Sequence, residues 1–140
     1  MLTRLQAILL DGHFVLEHGA RFRGNHFFNF NGTAGLWRKE AIYDGGNWQD
    51  DTLTEDMDLS YRCQLAGWTA SYFPDVVVPA ELPESYTAFK SQQFRWAKGS
   101  VQTALKIMPR VIRSDASLFA KVQAFLHMTH YCIHPLMALM

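Results

Sequence analysis

The sequence predicts an α/β fold, and three observations carry that prediction. Short runs rich in aromatic and β-branched residues, His26 to Phe30, Trp68 to Phe73 and Val76 to Val78, alternate with longer stretches of helical periodicity. Glycine and proline punctuate the boundaries: Asn31-Gly32 follows the first run, Gly67 precedes the second, and Pro74 and Pro79 bracket the third. Hydrophobic residues make up 49% of the chain and charged residues 19%, a balance that suits a packed core and argues against disorder. The 140 residues are about one ordinary domain. So few strands cannot form a self-sufficient doubly wound sheet, and the remaining strands are expected upstream in a longer protein.

Taken in order, Thr3 to about His18 reads as a helix with an apolar face of Leu5, Leu9 and Leu16 beside Ile8. His26 to Phe30 has strand character and ends at a turn. Gly32 and Gly35 bracket a tight loop, Leu36 to Ile42 makes one or two helical turns, and Asp44-Gly45-Gly46-Asn47 is a turn cluster. A helix begins near Thr52 to Thr54, where Thr52 and Glu55 have capping-box spacing and Glu55, Asp56 and Asp58 suit the helix dipole. It runs to Ala66, with Leu59, Cys63 and Ala66 on one face, and Gly67 stops it. A long helix is expected from about Thr87 to Met108, before Pro109, and Ser114-Asp115 is placed to cap a last helix. No internal repeat or low-complexity tract occurs.

Composition excludes several function classes. Thirteen basic residues balance thirteen acidic ones, so no global field attracts nucleic acid. Cys63 and Cys132 fit neither a disulfide scaffold nor a clustered metal site, which points to a reduced compartment. The first ten residues carry one arginine but no small-residue cleavage site, a poor signal peptide. From Val122 to Met140 there is no Asp, Glu, Lys or Arg, although Gln123, His127, Thr129, His130 and His134 interrupt the apolar residues. Such a run suits a buried core helix, an interfacial helix or the start of a membrane span.

Three constellations could carry chemistry. Thr54-Glu55-Asp56 sits at a loop-to-helix junction, where a carboxylate can open onto a cleft while the helix fixes its direction, as a general base needs. Ordinary capping explains the same acidic residues. Gln92, Arg95 and Trp96, at i, i+3 and i+4, share a helical face that Gly99 extends with open space. Their side chains supply an orienting amide, a guanidinium matched to a diphosphate, and an apolar plane for the C–H face of a sugar. Phe30-Asn31-Gly32-Thr33-Ala34-Gly35 allows close approach of backbone to a ligand, but it is no phosphate loop.

Two metal readings are rejected. Asp56-Met57-Asp58 spells Asp-x-Asp, yet on a helix residues two apart point about 200° apart and cannot grip one ion. The same stretch lacks an EF-hand's central glycine and ligand spacing. His127, His130 and His134 are spaced to share a face, but no carboxylate or fourth ligand stands near them and Pro135 disturbs the helix.

Asn31-Gly32-Thr33, then Thr54-Glu55-Asp56, then Gln92-Gln93-Phe94-Arg95-Trp96 together resemble the family 2 glycosyltransferases, in their processive, cellulose-synthase-like branch. The resemblance covers about residues 25–113. Cellulose synthases usually carry cysteine where Asn31 stands, so Asn-Gly-Thr-Ala-Gly looks closer to the mannan- and glucomannan-synthase-like members. The resemblance implies a partial GT-A (nucleotide-diphospho-sugar transferase) fold: its acceptor-side half over residues 1–113, then interfacial or transmembrane helices over 114–140. It implies inverting transfer of a hexose from a UDP- or GDP-hexose to a growing β-glucan or mannan-type glycan. A lipid acceptor, or a catalytically idle saccharide-binding or membrane-docking module, are the alternatives. Carried over, Asp56 is the base, Thr54 and Glu55 support it, Trp96, Asn31, Gly32 and Thr33 bind acceptor, and Arg95 and Gln92 meet the diphosphate. A divalent metal, Mg or Mn, is expected, with ligands upstream rather than in this chain. The full-length form is expected to be a multi-pass membrane protein with a cytoplasmic catalytic domain, and the isolated segment to be inactive.

Overall fold

A computed structural model describes residues 1–133 and Met137. Its elements are α1 (Leu2–Asp11), a π-helical stretch (Gly12–His18) and α2 (Gly19–Arg23), then α3 (Lys39–Asp44), α4 (Glu55–Leu65), α5 (Tyr86–Arg113) and α6 (Leu118–Thr129), followed by a 3-10 turn (His130–Cys132). Among the described residues there is no strand, which corrects the α/β expectation at this level. A strand needs a partner for its backbone groups. The run from His26 to Phe30 keeps the alternation of a strand, burying Phe27 and Asn29, but side chains of α4 take the partner's role. Gln64 accepts the Phe28 N–H at Oε1 (2.8 Å) and returns its Nε2 to the Phe28 carbonyl (2.6 Å). Ser60 Oγ donates to the same carbonyl (2.7 Å) and accepts the Phe30 N–H (3.1 Å). Val76, Val77 and Val78 have no such partner and are largely exposed.

The core forms on both sides of α4. Met57 and Tyr61, one turn apart, pack with Phe27, with Ala104, Ile107 and Val111 of α5, and with Ala124 and Met128 of α6. The Phe27 and Tyr61 rings stack at 5.1 Å between centroids. Fully burying side chains such as Ile107 and Val111 contributes about 1.5–3 kcal/mol each. Leu59 and Cys63 face the other way, onto Ala41 of α3, Trp37 and Trp68. Both cysteines are free, and Cys63 Sγ donates to the Ala41 carbonyl (3.0 Å).

Several boundaries differ from the sequence reading for local reasons. The first helix continues unbroken past His18 to Arg23. Its expected apolar face, Leu5, Ile8, Leu9 and Leu16, is exposed, while Gln6, His18 and Arg21 are buried. Gln6 donates to the Pro83 carbonyl (2.8 Å). The Thr52–Glu55 capping box does not form: Thr54 is the N-cap residue, and its hydroxyl is used elsewhere. Gly67, at φ +95°, stops α4 as expected.

Helix α5 passes through Pro109 to Arg113, capped at its start by Ser85 Oγ accepting from Ala88 N–H (3.2 Å). Proline removes one helical bond, and Val111, fully buried beyond it, carries the helix on. Ser117 rather than Ser114 caps α6, accepting from Ala120 N–H (3.2 Å), while Ser114 Oγ donates back to the Val111 carbonyl. Among the described residues no helix is long and apolar enough to cross a membrane. The uncharged C-terminal run bends into the 3-10 turn at His130, and α6 presses Ala124 and Met128 against α5, where Ser100 Oγ donates to the Met128 carbonyl (2.7 Å). His134 lies outside the described residues.

A buried ion network ties these parts together. Asp58 is fully buried, and its Oδ2 accepts from Arg62 Nε (2.9 Å) and from Lys106 Nζ of α5 (3.0 Å). Arg62, 2% exposed, donates through Nη1 to the carbonyls of Gly45 and Asn47. Lys106 also donates to Gln49 Oε1 (2.6 Å) and Asp51 Oδ1 (2.7 Å). One carboxylate thus joins α4, α5 and the 45–51 turn. Asp58→Ala leaves a buried guanidinium without its counter-charge and should lower stability by about 3–5 kcal/mol, measured by chemical denaturation. A loss below about 1 kcal/mol would show that Arg62 is satisfied by the carbonyls alone.

Candidate functional site

The start of α4 is docked onto the middle of α5. Leu53 N–H donates to Gln102 Oε1 (3.1 Å), and the hydroxyls of Thr54 and Thr103 share a buried hydrogen bond of 3.0 Å. Gly99 makes that contact possible: a Cβ there would lie 2.6 Å from Thr54 Cγ2 and 2.9 Å from the Thr54 nitrogen. The expected open space beside Gly99 is therefore filled by Leu53 and Thr54. Glycine is needed because backbone meets backbone there.

This docking determines where the three motifs meet. Asp56 follows Thr54 by two residues and is half-buried. Its Oδ1 accepts from Met57 N–H (2.8 Å). Its Oδ2 faces Gly32, where an added Cβ would stand 3.0 Å away. Gly32 has φ +77°, so both its backbone angle and the adjacent carboxylate favour glycine. Gly35 has no positive φ; a Cβ there would meet the Phe30 ring, and Ala34 takes the left-handed conformation instead. Asn31 is half-buried and Thr33 exposed, on either side of Gly32.

Arg95 and Glu55 line one cavity of about 620 Å³ with Trp48, Gln49, Asp50, Thr52 and Leu53. Burial pushes the Asp56 carboxyl up from its ordinary value and the neighbouring Glu55 adds to this, while the hydrogen bond from Met57 N–H and, less strongly, the Arg95 charge pull it part of the way back. Asp56 and Arg95 are thus electrostatic neighbours. Gln92 and Trp96 are partly exposed on α5, about two turns and one turn before the Gly99 contact, and Trp96 is not sealed into the core. The structure therefore brings Gly32, Asp56, Glu55, Thr54 and Arg95 together, with Gln92 and Trp96 adjoining along the helix.

The Asp-x-Asp reading stays rejected on direct grounds, since Asp58 is buried and held by Arg62 and Lys106. His127 and His130 hold no metal either. His127 Nδ1 is bonded to the buried Tyr61 hydroxyl (2.7 Å), and His130 Nδ1 lies 2.6 Å from the His127 carbonyl. Among the described residues no group of three His, Cys, Asp or Glu could hold an ion, so the residues present do not fit the expected divalent metal. Sequence reading missed the Trp48–Asp50 wall and the Asp58–Arg62–Lys106 network. The i, i+4 spacing of Asp58 and Arg62 was a visible signal; Lys106 had none.

The family model described as "Glycosyl transferase family group 2" matches residues 11–140. The rice (Oryza sativa subsp. japonica) protein named "Probable glucomannan 4-beta-mannosyltransferase 7" is 46% identical over 86% of this chain and 21% of its own length. From Arabidopsis thaliana, glucomannan 4-beta-mannosyltransferase 2 is 42% identical (86% of this chain, 23% of the relative). The Arabidopsis glucomannan 4-beta-mannosyltransferase 7 is 44% identical (86% and 22%). The chain spans about a fifth of the length of these curated relatives. No solved structure matches it.

Gly99→Ala should push the 53–54 segment off α5 and cost about 1–3 kcal/mol by overpacking, read as a lowered denaturation midpoint. Adding Thr54→Ser should recover only part of the loss, because the backbone nitrogen of residue 54 remains in the way. Full recovery would show that only the threonine methyl opposes a side chain at position 99.

Proposed function

We propose, for a chain that belongs to glycosyl transferase family group 2, that it carries the acceptor-side catalytic base of an inverting hexosyltransferase acting on a β-linked, mannan- or glucomannan-type glycan. The observation that carries this reading is the setting of Asp56. Its carboxylate is half-buried, raised in pKa, pinned at a helix start, backed by Gly32 and within the field of Arg95. Family membership suggests a GT-A type architecture, of which residues 1–113 would form part. The names of the relatives support a mannosyl-type donor, and we assign it a UDP or GDP carrier.

The chemistry follows from charge. An acceptor hydroxyl is a weak nucleophile, and Asp56 takes its proton as the oxygen attacks the anomeric carbon. The bond from that carbon to the diphosphate breaks on the opposite face, and the configuration inverts. Negative charge grows on the departing diphosphate, where Arg95 offers paired donors and a permanent charge. Gln92 helps to orient that group. Trp96 gives the terminal sugar of the acceptor an apolar plane, and Asn31, Gly32 and Thr33 line the acceptor side. Thr54, through Thr103, and Glu55 hold and shape the base. A divalent metal would bind residues other than those described here. The outward side of α6, with Leu118, Phe119, Val122, Phe125 and Leu126 exposed, supports a place for the full-length protein at a membrane surface.

In the full-length protein, Asp56→Asn should lower transfer by at least about 100-fold while sparing donor binding; turnover within a few-fold of the parent would overturn the assignment. Identification of the product as a lipid glycoside would redirect the acceptor from glycan to lipid. The base must shed its proton to act, and burial holds that proton on to higher pH. The acid limb of kcat/KM should therefore lie above the ordinary aspartate range. Arg95→Gln should move that limb further up, since the arginine opposes the shift.

A further inference from the structure

We infer that His13, held in place by Glu17, is a positioning residue that determines which group Asn31 presents beside the proposed base, an inference that rests on the acceptor-side reading above. A chain of polar contacts runs from the first helix to the motif loop. Glu17 Oε1 accepts from Arg21 Nε (3.0 Å), and Glu17 Oε2 meets His13 Nδ1 (2.9 Å). His13 Nε2 meets Asn31 Nδ2 (2.9 Å), and Asn31 Oδ1 accepts from Nδ2 of the buried Asn29 (2.7 Å).

With the Asn29 and Asn31 amides oriented as they stand, one hydrogen assignment satisfies every link. Asn31 has one acceptor and one donor end. Asn29 occupies the oxygen, so Nδ2 donates to His13. His13 Nε2 must then accept, its proton sits on Nδ1, and Nδ1 donates to Glu17. An ionised Glu17 completes the chain. Its carboxyl is held well below the usual range, first by the bond from His13, against burial, and further by the Arg21 charge. A carboxylate that orients one imidazole nitrogen and thereby determines the role of the other is a general device for fixing a tautomer.

The groups around the relay keep it in that state. His18 packs on the His13 ring with centroids 4.4 Å apart and is itself lowered to about 4, chiefly by burial, so it adds no positive charge near neutral pH. Arg21 also donates to the Phe27 carbonyl (3.4 Å), and His127 Nε2 lies 3.9 Å from Glu17. At the other end, Asn31 precedes Gly32, which lies against Asp56 Oδ2. Turning the Asn31 amide over would exchange donor for acceptor within one residue of that carboxylate. Of the buried polar residues of the first helix, Arg21 belongs to this chain of contacts.

The test uses the full-length protein in membranes, with transfer to a soluble β-linked mannose oligosaccharide at saturating donor. His13→Asn places an amide where Nδ1 stands and reaches Glu17 only; His13→Gln places one where Nε2 stands and reaches Asn31. The relay predicts an acceptor KM raised about 5- to 10-fold in His13→Asn, the equivalent of one oriented hydrogen bond, with kcat nearly unchanged. His13→Gln should return to within about 2-fold of the parent, because the Asn31 bond accounts for the effect. Equal KM values in both variants, or the reverse order, would overturn the relay and leave His13 a structural partner of Glu17. Asp56→Asn, run beside them, separates the two ideas: if it retains turnover the base is wrong, whereas the histidine pair still reports on acceptor KM.

Discussion

The fold depends on the burial of one carboxylate, Asp58. With no exposure to water, it is compensated by Arg62 on its own helix and by Lys106 on α5. Removing a charge from water costs several kcal/mol unless it is paired and hydrogen-bonded, so burial of the Asp58–Arg62 pair of α4 is supported by Lys106 of α5 and by the carbonyls of the 45–51 turn. Arg62 holds the carbonyls of Gly45 and Asn47, and Lys106 reaches Gln49 and Asp51. The loop that forms one wall of the cavity is thereby tied to the same charge that locks the two helices.

From that constraint the candidate site follows by short steps. Locking α4 against α5 delivers Leu53 and Thr54 to Gly99, Gln102 and Thr103. The helix start then sets Asp56 against Gly32 and within the field of Arg95. Partial burial raises its pKa, and the Met57 N–H bond, with a smaller contribution from the Arg95 charge, keeps it from rising further. Opposing influences on one carboxyl are what a general base requires, since it must hold a proton weakly near its working pH.

The long helix, the α4 helix with its acidic first turn, and the stop at Gly67 were legible, because capping, periodicity and glycine act over a few residues. The strands were not. His26 to Phe30 alternates correctly, but whether alternation becomes a sheet depends on a neighbouring strand, and here Ser60 and Gln64 of a helix take that place. Pro109 was read as a stop because it removes a hydrogen bond, yet the buried Val111 beyond it outweighs that local loss. The first helix misled most: its leucines point outward, and its buried residues are a glutamine, a histidine and an arginine. Their burial is supported by acceptors distant in sequence, such as the Pro83 carbonyl, or held by another helix turn, as in Glu17.

By itself the sequence determined the chemical types of the site and their order: a glycine-bearing loop, a carboxylate at a helix start, and an amide, guanidinium and indole on one helical face. Those depend on residue identity and on the fixed pitch of a helix. Only the tertiary structure decided that Gly99 is a contact rather than a gap, that Asp58 is a buried clamp, and that His13 speaks to Asn31. Each of these is a contact between residues 18 to 48 positions apart, and no local pattern encodes which distant partner will satisfy a buried polar group.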